Sequence, residues 1–288
     1  MITAAAPIGV FDSGLGGLTV VREMRPRLPG ARIVYVGDSV HAPYGARPEN
    51  EIRRLSIGLA RFLAERWGCR GLVVACNTAT AAAAGTLRET FSFPIVGMEP
   101  AVKPAVAATK TGTVGILATV GTLASARFAA LLERHGADGA VEFLTQSCPG
   151  LPEAVERGEM DTPHTRALVE KYVAPLLARG ADTLVLGCTH YPALRPLIAQ
   201  IAGPGVTLID TGAAVARRAA QVFGEESEGV AGAAGPASLT LYTTSEDVAT
   251  FARGAAVLLN EPAPPPVCRL HWKNGELTPD ADDQHAAD

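Results

Sequence analysis

The strongest constraint on this chain is an alternation. Short apolar runs rich in β-branched residues are followed repeatedly by longer stretches with helical spacing. The apolar runs lie at 8–11, 33–36, 71–75 and 95–96, then again at 114–118, 141–144, 183–186 and 206–209. Helices are expected between them, at 18–28, 49–67, 78–91, 122–135, 162–179, 193–202 and 212–223. The second of these places Ile52, Leu55, Leu59, Phe62 and Leu63 at the spacing of one helix face. Strands that alternate with helices pair in parallel and are covered by helices on both faces. The expected class is therefore α/β, with doubly wound parallel sheets.

The two series resemble each other. Strands running into a polar residue end at Asp12 and Thr119, and strands running into cysteine end at Cys76 and Cys188. The offsets are nearly equal, which suggests a duplicated unit of about 110 residues. Chance likeness between generic strand–helix units is the competing account. Duplication implies two similar domains related by a pseudo-two-fold, with an active site in the cleft between them. We expect a first domain at 1–97 plus 211–260 and a second at 98–210. Residues 224–236, rich in Gly, Ala and Glu, read as a loop, and 239–243 and 247–259 as one more strand and helix. From 261 to 288 the chain is first proline-rich and then acidic, and is expected to be a disordered tail.

Composition removes several function classes. Of 288 residues, 48% are hydrophobic and 19% charged, enough for a real core. The formal net charge of −4 argues against a nucleic-acid grip, which needs a clustered basic face. Polar or charged residues interrupt every apolar run too early for a membrane span. The first residues lack the basic and apolar regions of a secretory leader. Cysteines stand at 69, 76, 148, 188 and 268, an odd number without a Cys-x-x-Cys pair. That pattern fits free thiols in a reducing cytoplasm.

Ligands of parallel α/β sheets bind outside the carboxyl ends of the strands. The segments there are Asp12-Ser13-Gly14-Leu15-Gly16-Gly17, Gly37-Asp38-Ser39, Cys76-Asn77-Thr78, Thr119-Val120-Gly121-Thr122 and Cys188-Thr189-His190. The glycine segment has Thr19 where a dinucleotide fingerprint has its third glycine, so it is a poor match. An anion site at a helix N-terminus and a tight turn both remain open. Each of the two cysteines precedes a helix, where amides and the dipole are expected to lower a thiol pKa. Two thiols facing a planar carbanion can remove a proton from one side and return one on the other, which inverts a stereocentre. Asp12 can lie beside Cys76, His190 is local to Cys188, and Glu156 comes from the second unit. Each also has a plain reading: a helix cap, a core histidine, a solvated face. His41 to Gly45 is a turn by composition; its phenol, on Tyr44, and backbone amides could contact a ligand carboxylate, and a purely structural turn is the alternative. A cysteine nucleophile served by His190 is the alternative chemistry, and a weak zinc site or a Cys76–Cys188 disulfide are less favoured.

At these residues the sequence resembles the glutamate racemases of the cofactor-independent Asp/Glu racemase superfamily. The matching motifs are Asp12 to Leu18, Val36-Gly37-Asp38 with Pro43-Tyr44-Gly45, Ala75 to Thr80, and Leu186 to Pro192. The resemblance spans roughly residues 8–223 and weakens through 259. It implies interconversion of L- and D-glutamate, with D-glutamate supplied for bacterial peptidoglycan. It implies neither pyridoxal phosphate nor metal, which agrees with only four lysines and no evident Schiff-base motif. By the same resemblance Cys76 serves D-glutamate and Cys188 L-glutamate as proton donor and acceptor. Asp12, His190 and Glu156 would assist them. Asp12, Ser13, Tyr44, Gly45, Asn77, Thr78, Thr189 and His190 would bind the substrate. Pro152 and Glu153 interrupt the apolar stretch ahead of Glu156, so Glu153 is its rival. Ala118-Thr119 replaces a more usual Gly-Thr, and the tail after 259 has no counterpart. Expected partners are the small-molecule substrate alone, with no nucleic acid or membrane, and a homodimer stays open. An aspartate or other amino-acid racemase, a cysteine-nucleophile hydrolase and a carboxylate-binding module are the alternative functions.

Overall fold

The structure, a computed structural model, describes residues 6–136, 139–224, 237–263 and 266–280. The first series of apolar runs forms β1 (Ile8–Asp12), β2 (Arg32–Gly37), β3 (Gly71–Val74) and β4 (Ile95–Val96). The second forms β5 (Thr113–Ala118), β6 (Glu142–Ser147), β7 (Thr183–Leu186) and β8 (Thr207–Ile209). The quartets are wound alike, with spatial orders β2-β1-β3-β4 and β6-β5-β7-β8, and all their pairings are parallel. In each, the chain crosses one way from the first strand and the other way from the third. The crevice rule for such sheets points to the carboxyl ends of β1 and β3, and of β5 and β7.

Helices cover both faces. They are α1 (Leu18–Met24), α2 (Glu49–Trp67), α3 (Asn77–Thr90), α4 (Val102–Ala108), α5 (Val120–Leu123), α6 (Ala126–Gly136), α7 (Leu151–Glu156), α8 (Pro163–Ala178), α9 (Arg195–Ala202), α10 (Gly212–Phe223) and α11 (Val248–Leu259). The apolar face of α2 packs Ile52, Leu55, Leu59 and Leu63 with Val34, Leu72 and Val74 of the sheet. Burying each such side chain contributes about 1.5–3 kcal/mol. On the opposite face Val10, Tyr35 and Val73 meet Val20 and Met24 of α1 and Val215 and Phe223 of α10. So α10 returns to the first sheet after β8. The second sheet has its own two cores, around Leu184, Leu186 and Val173 on one face and Val114, Ile116 and Phe128 on the other. Among the described residues no helix is long and apolar enough to cross a membrane.

Several elements differ from expectation. The first helix ends at Met24 because Pro26 sets a tighter 3₁₀ turn over Arg25–Arg27. The stretch 122–135 is two helices, broken at Ser125, whose hydroxyl accepts the Phe128 amide at 3.1 Å and starts α6 anew. Neither α4 nor α7 was expected; both are short and carry a proline near the start. The loop expected at 224–236 lies, from 225 onward, outside the described residues.

The disordered tail is the largest correction. β9 (Ser238–Thr243) extends the first sheet beside β2, and β10 (Val267–Lys273) pairs in parallel with β9. β11 (Glu276–Pro279) then pairs antiparallel with β10, giving the order β11-β10-β9-β2-β1-β3-β4. Two features drive this. Cys268, Leu270 and Trp272 alternate onto the core that α2 covers, and Leu277 joins them from β11. Asn274 and Gly275 have φ of 53° and 84°, the paired positive φ of a tight hairpin turn. Residues 264–265 and 281–288 of that tail lie outside the described residues.

Candidate active site

The carboxyl ends of the central strands converge as the crevice rule requires. Asp12 closes β1 and is fully buried. Its Oδ1 accepts the Ser13 amide at 2.7 Å and its Oδ2 the Gly17 amide at 2.6 Å. Thr189, from the other sheet, donates its hydroxyl to the same Oδ2 at 3.2 Å. Cys76 follows β3 and caps α3, its Sγ accepting the Ala79 amide at 3.4 Å. The same Sγ lies 3.9 Å from the Ser13 hydroxyl.

Cys188 follows β7 in the same manner, and its Sγ lies 3.6 Å from His190 Nδ1. His190 Nε2 meets Glu156 Oε1 at 2.6 Å. That oxygen also accepts the Leu15 amide at 2.6 Å, and Oε2 accepts the Ser39 hydroxyl at 3.3 Å. Glu156 is the last residue of α7 and reaches across to the glycine turn of the first sheet. Gly14 makes room for it: a Cβ there would lie 2.0 Å from Glu156 Oε1. Glu153, the rival carboxylate, instead lines a cavity with Pro43, Thr119 and Cys148. The helix N-terminus considered as an anion site is thus already served by the chain's own carboxyls, Asp12 and Glu156.

The charges follow from burial and partners. Burial pulls the His190 pKa down, but its hydrogen bonds to Cys188 and Glu156 and their charges outweigh this. The net shift is well above the usual value of a histidine, so the ring is held protonated. Burial raises the Asp12 carboxyl, against a lowering pull from His190 and Cys76. Cys76 departs from expectation: burial and the neighbouring Asp12 push its thiol well up, and the Ala79 amide only partly offsets them. Desolvation outweighs the helix end there. Burial also pushes Cys69 and Cys148 up to about 12, which leaves both as neutral thiols. None of the five cysteines is paired in a disulfide.

The remaining expected binding residues frame the same region. Thr78 Oγ1 meets the Thr119 hydroxyl at 2.8 Å and the Thr122 hydroxyl at 3.2 Å. Asn77 is buried, and neither polar atom of its amide has a partner among the described residues. Tyr44 donates its hydroxyl to Asp38 Oδ2 at 2.6 Å, and Gly45 packs against Thr119. A cleft of about 350 Å³ opens here, with Gly45, Thr78, Val120 and Gly121 among its lining residues. The two thiols are buried, 4% and 7% exposed. Sequence reasoning passed over Asp38, Ser39, Thr119 and Thr122 as site residues. All four lie in strand-end segments, the one signal that could have found them.

The family model described as Asp/Glu/Hydantoin racemase matches residues 18–219. The chain belongs to the Asp/Glu/hydantoin racemase family. Within that family, a glutamate racemase of Ectopseudomonas mendocina is 51% identical over 264 residues, covering 91% of this chain and 98% of that one. Among solved structures, glutamate racemase isoform RacE1 of Bacillus anthracis superposes with a TM-score of 0.78 at 31% identity, covering 94% of this chain and 98% of that one. The glutamate racemase of Francisella tularensis in complex with D-glutamate gives 0.76 at 25% identity, covering 92% and 97%.

Proposed function

We infer that the chain is a glutamate racemase that works by two-thiol proton transfer. The observation carrying this is the equivalence of Cys76 and Cys188. They follow equivalent strands of two like-wound sheets, and each has its own ionisable partner, Asp12 for one and the His190–Glu156 pair for the other. With L-glutamate bound, the Cys188 thiolate takes the Cα proton. The electron pair stays on Cα and spreads into the α-carboxylate. Cys76, kept as a thiol by burial and by Asp12, gives its proton to the opposite face, and D-glutamate results. The thiolate and thiol have then exchanged places, which is the state that turns over D-glutamate. His190, held protonated by Glu156, moves a proton at Cys188 Sγ, and Asp12 does so at Cys76.

Both enantiomers must be held alike while the Cα proton changes sides. Ser13, Thr78 and Thr189 offer hydroxyls, Tyr44 and Gly45 a loop, and His190 a charge. The unpaired amide of Asn77 supports a polar ligand at that point, because a buried amide without partners is costly. A site whose thiols are this buried favours charge developing against fixed dipoles. Substrate entry needs the loops at the sheet ends to part. The free thiols support work in the cytoplasm, where D-glutamate is supplied for peptidoglycan. A nucleophile–base pair would use Cys188 and His190 and leave Cys76 without a part.

The test is direct. Cys76→Ser and Cys188→Ser should each lower racemisation by at least about a thousandfold, since a serine hydroxyl does not ionise in this range. A chiral assay with purified protein and L-glutamate reads this. Full activity in either variant would sink the two-thiol reading.

A further inference from the structure

The hairpin of β10 and β11 reaches the site through one buried group. Asp38 follows β2 and is fully buried. Its carboxyl receives four donors. Trp272 Nε1 donates to Oδ1 at 2.7 Å and the Thr244 hydroxyl donates to the same oxygen at 2.9 Å. The Tyr44 hydroxyl meets Oδ2 at 2.6 Å, and His41 Nδ1 meets it at 3.0 Å. Tyr44 and His41 both belong to the loop that carries Gly45. That loop packs so tightly on the second sheet that a Cβ on Gly45 would lie 2.5 Å from Thr119 Cβ.

Trp272 is itself fixed. Its ring meets the His41 ring edge-on, with centroids 5.7 Å apart. On the other side it fills the space left by Gly58 of α2, where a Cβ would come within 2.7 Å of the indole. The indole N–H is therefore aimed, and Asp38 is its acceptor. We propose that Trp272 is a positioning residue: through Asp38 it holds the loop bearing Tyr44 and Gly45 in the geometry that binds the substrate. This deepens the reading of the site given above and rests on it. Trp272 touches no reacting atom. Its removal leaves a buried carboxyl short of one donor and frees it to turn from Tyr44. The loop then loses its fixed place, and both enantiomers lose contacts that are the same in ground and transition states. Loss of uniform binding of that kind raises KM and spares kcat.

Trp272→Phe in the full chain tests this, with kcat and KM measured for L- and D-glutamate. The expected result is a KM raised about tenfold for both enantiomers with kcat little changed. Thr244→Val removes a second donor from Asp38 and, with it, the acceptor of the Val40 amide in the same loop, and should raise KM in the same way. It also carries the test should Trp272→Phe fail to fold. Leu131→Ala, on the buried face of α6, serves as a comparator with a lowered thermal midpoint and an unchanged KM. Unchanged KM in the Asp38-partner variants, or an equal rise in Leu131→Ala, would overturn the proposal while leaving the racemase reading intact. An unmodified protein that does not racemise glutamate would instead remove the reading on which the proposal rests.

Discussion

Glu156 Oε1 accepts from both His190 and the Leu15 amide, so one oxygen joins the acid–base pair of one sheet to the glycine turn of the other. The residue's function in the account is to keep His190 charged. In Glu156→Gln the negative partner is gone while burial remains, so His190 should lose its proton at lower pH. The alkaline limb of the pH profile for L-glutamate should move to lower pH; an unmoved limb would count against Glu156 as the partner. The stability sign follows the same direction. The folded pKa of His190 is raised, so its contribution is complete below the unfolded value of about 6.5 and is lost as pH rises through the folded value. At this scale the sequence was most readable where motifs are local: Asp12, the cysteines and His190 were all named from strand ends. Glu156 against Glu153 was not decidable there. The choice depends on which side of the helix turn faces His190, a contact between residues 34 apart in the chain.

At the scale of elements, α7 and the hairpin were the losses. Six residues, one of them a proline, show too little of the 3.6-residue period to be read as helix, yet α7 is what delivers Glu156. The hairpin carried a signal that its proline-rich approach masked: Asn274-Gly275 between two alternating runs is a strong hairpin mark. Gly275 has φ of 84° and open space where a Cβ would go. Gly275→Ala should therefore cost about 1 kcal/mol through backbone strain alone. Urea unfolding should show a lowered midpoint with an unchanged slope, whereas an unchanged midpoint would mean that the turn does not set the hairpin. Helices were placed well where an apolar face was long, as in α2, and poorly where Pro26 or Ser125 ended a run early.

The whole molecule repeats one winding twice. Strand order β2-β1-β3-β4 recurs as β6-β5-β7-β8, so equivalent strand ends present Asp12 with Cys76, and Thr119 with Cys188. That repeat was visible as a nearly constant offset, because strand ends carry function and their polar residues punctuate apolar runs. What the offset could not show is how the ends interlock: Thr189 on Asp12, Glu156 on Leu15, Thr78 on Thr119. These bonds cross between sheets and have no signature along the chain. The central claim is that two thiols on opposite sides of Cα share one proton transfer. Turnover of L-glutamate in heavy water, stopped at low conversion and without added pyridoxal phosphate, tests it most directly. Deuterium is expected at Cα of the D-glutamate formed, with protium retained in the remaining L-glutamate. D-Glutamate that keeps the substrate's own hydrogen would contradict it.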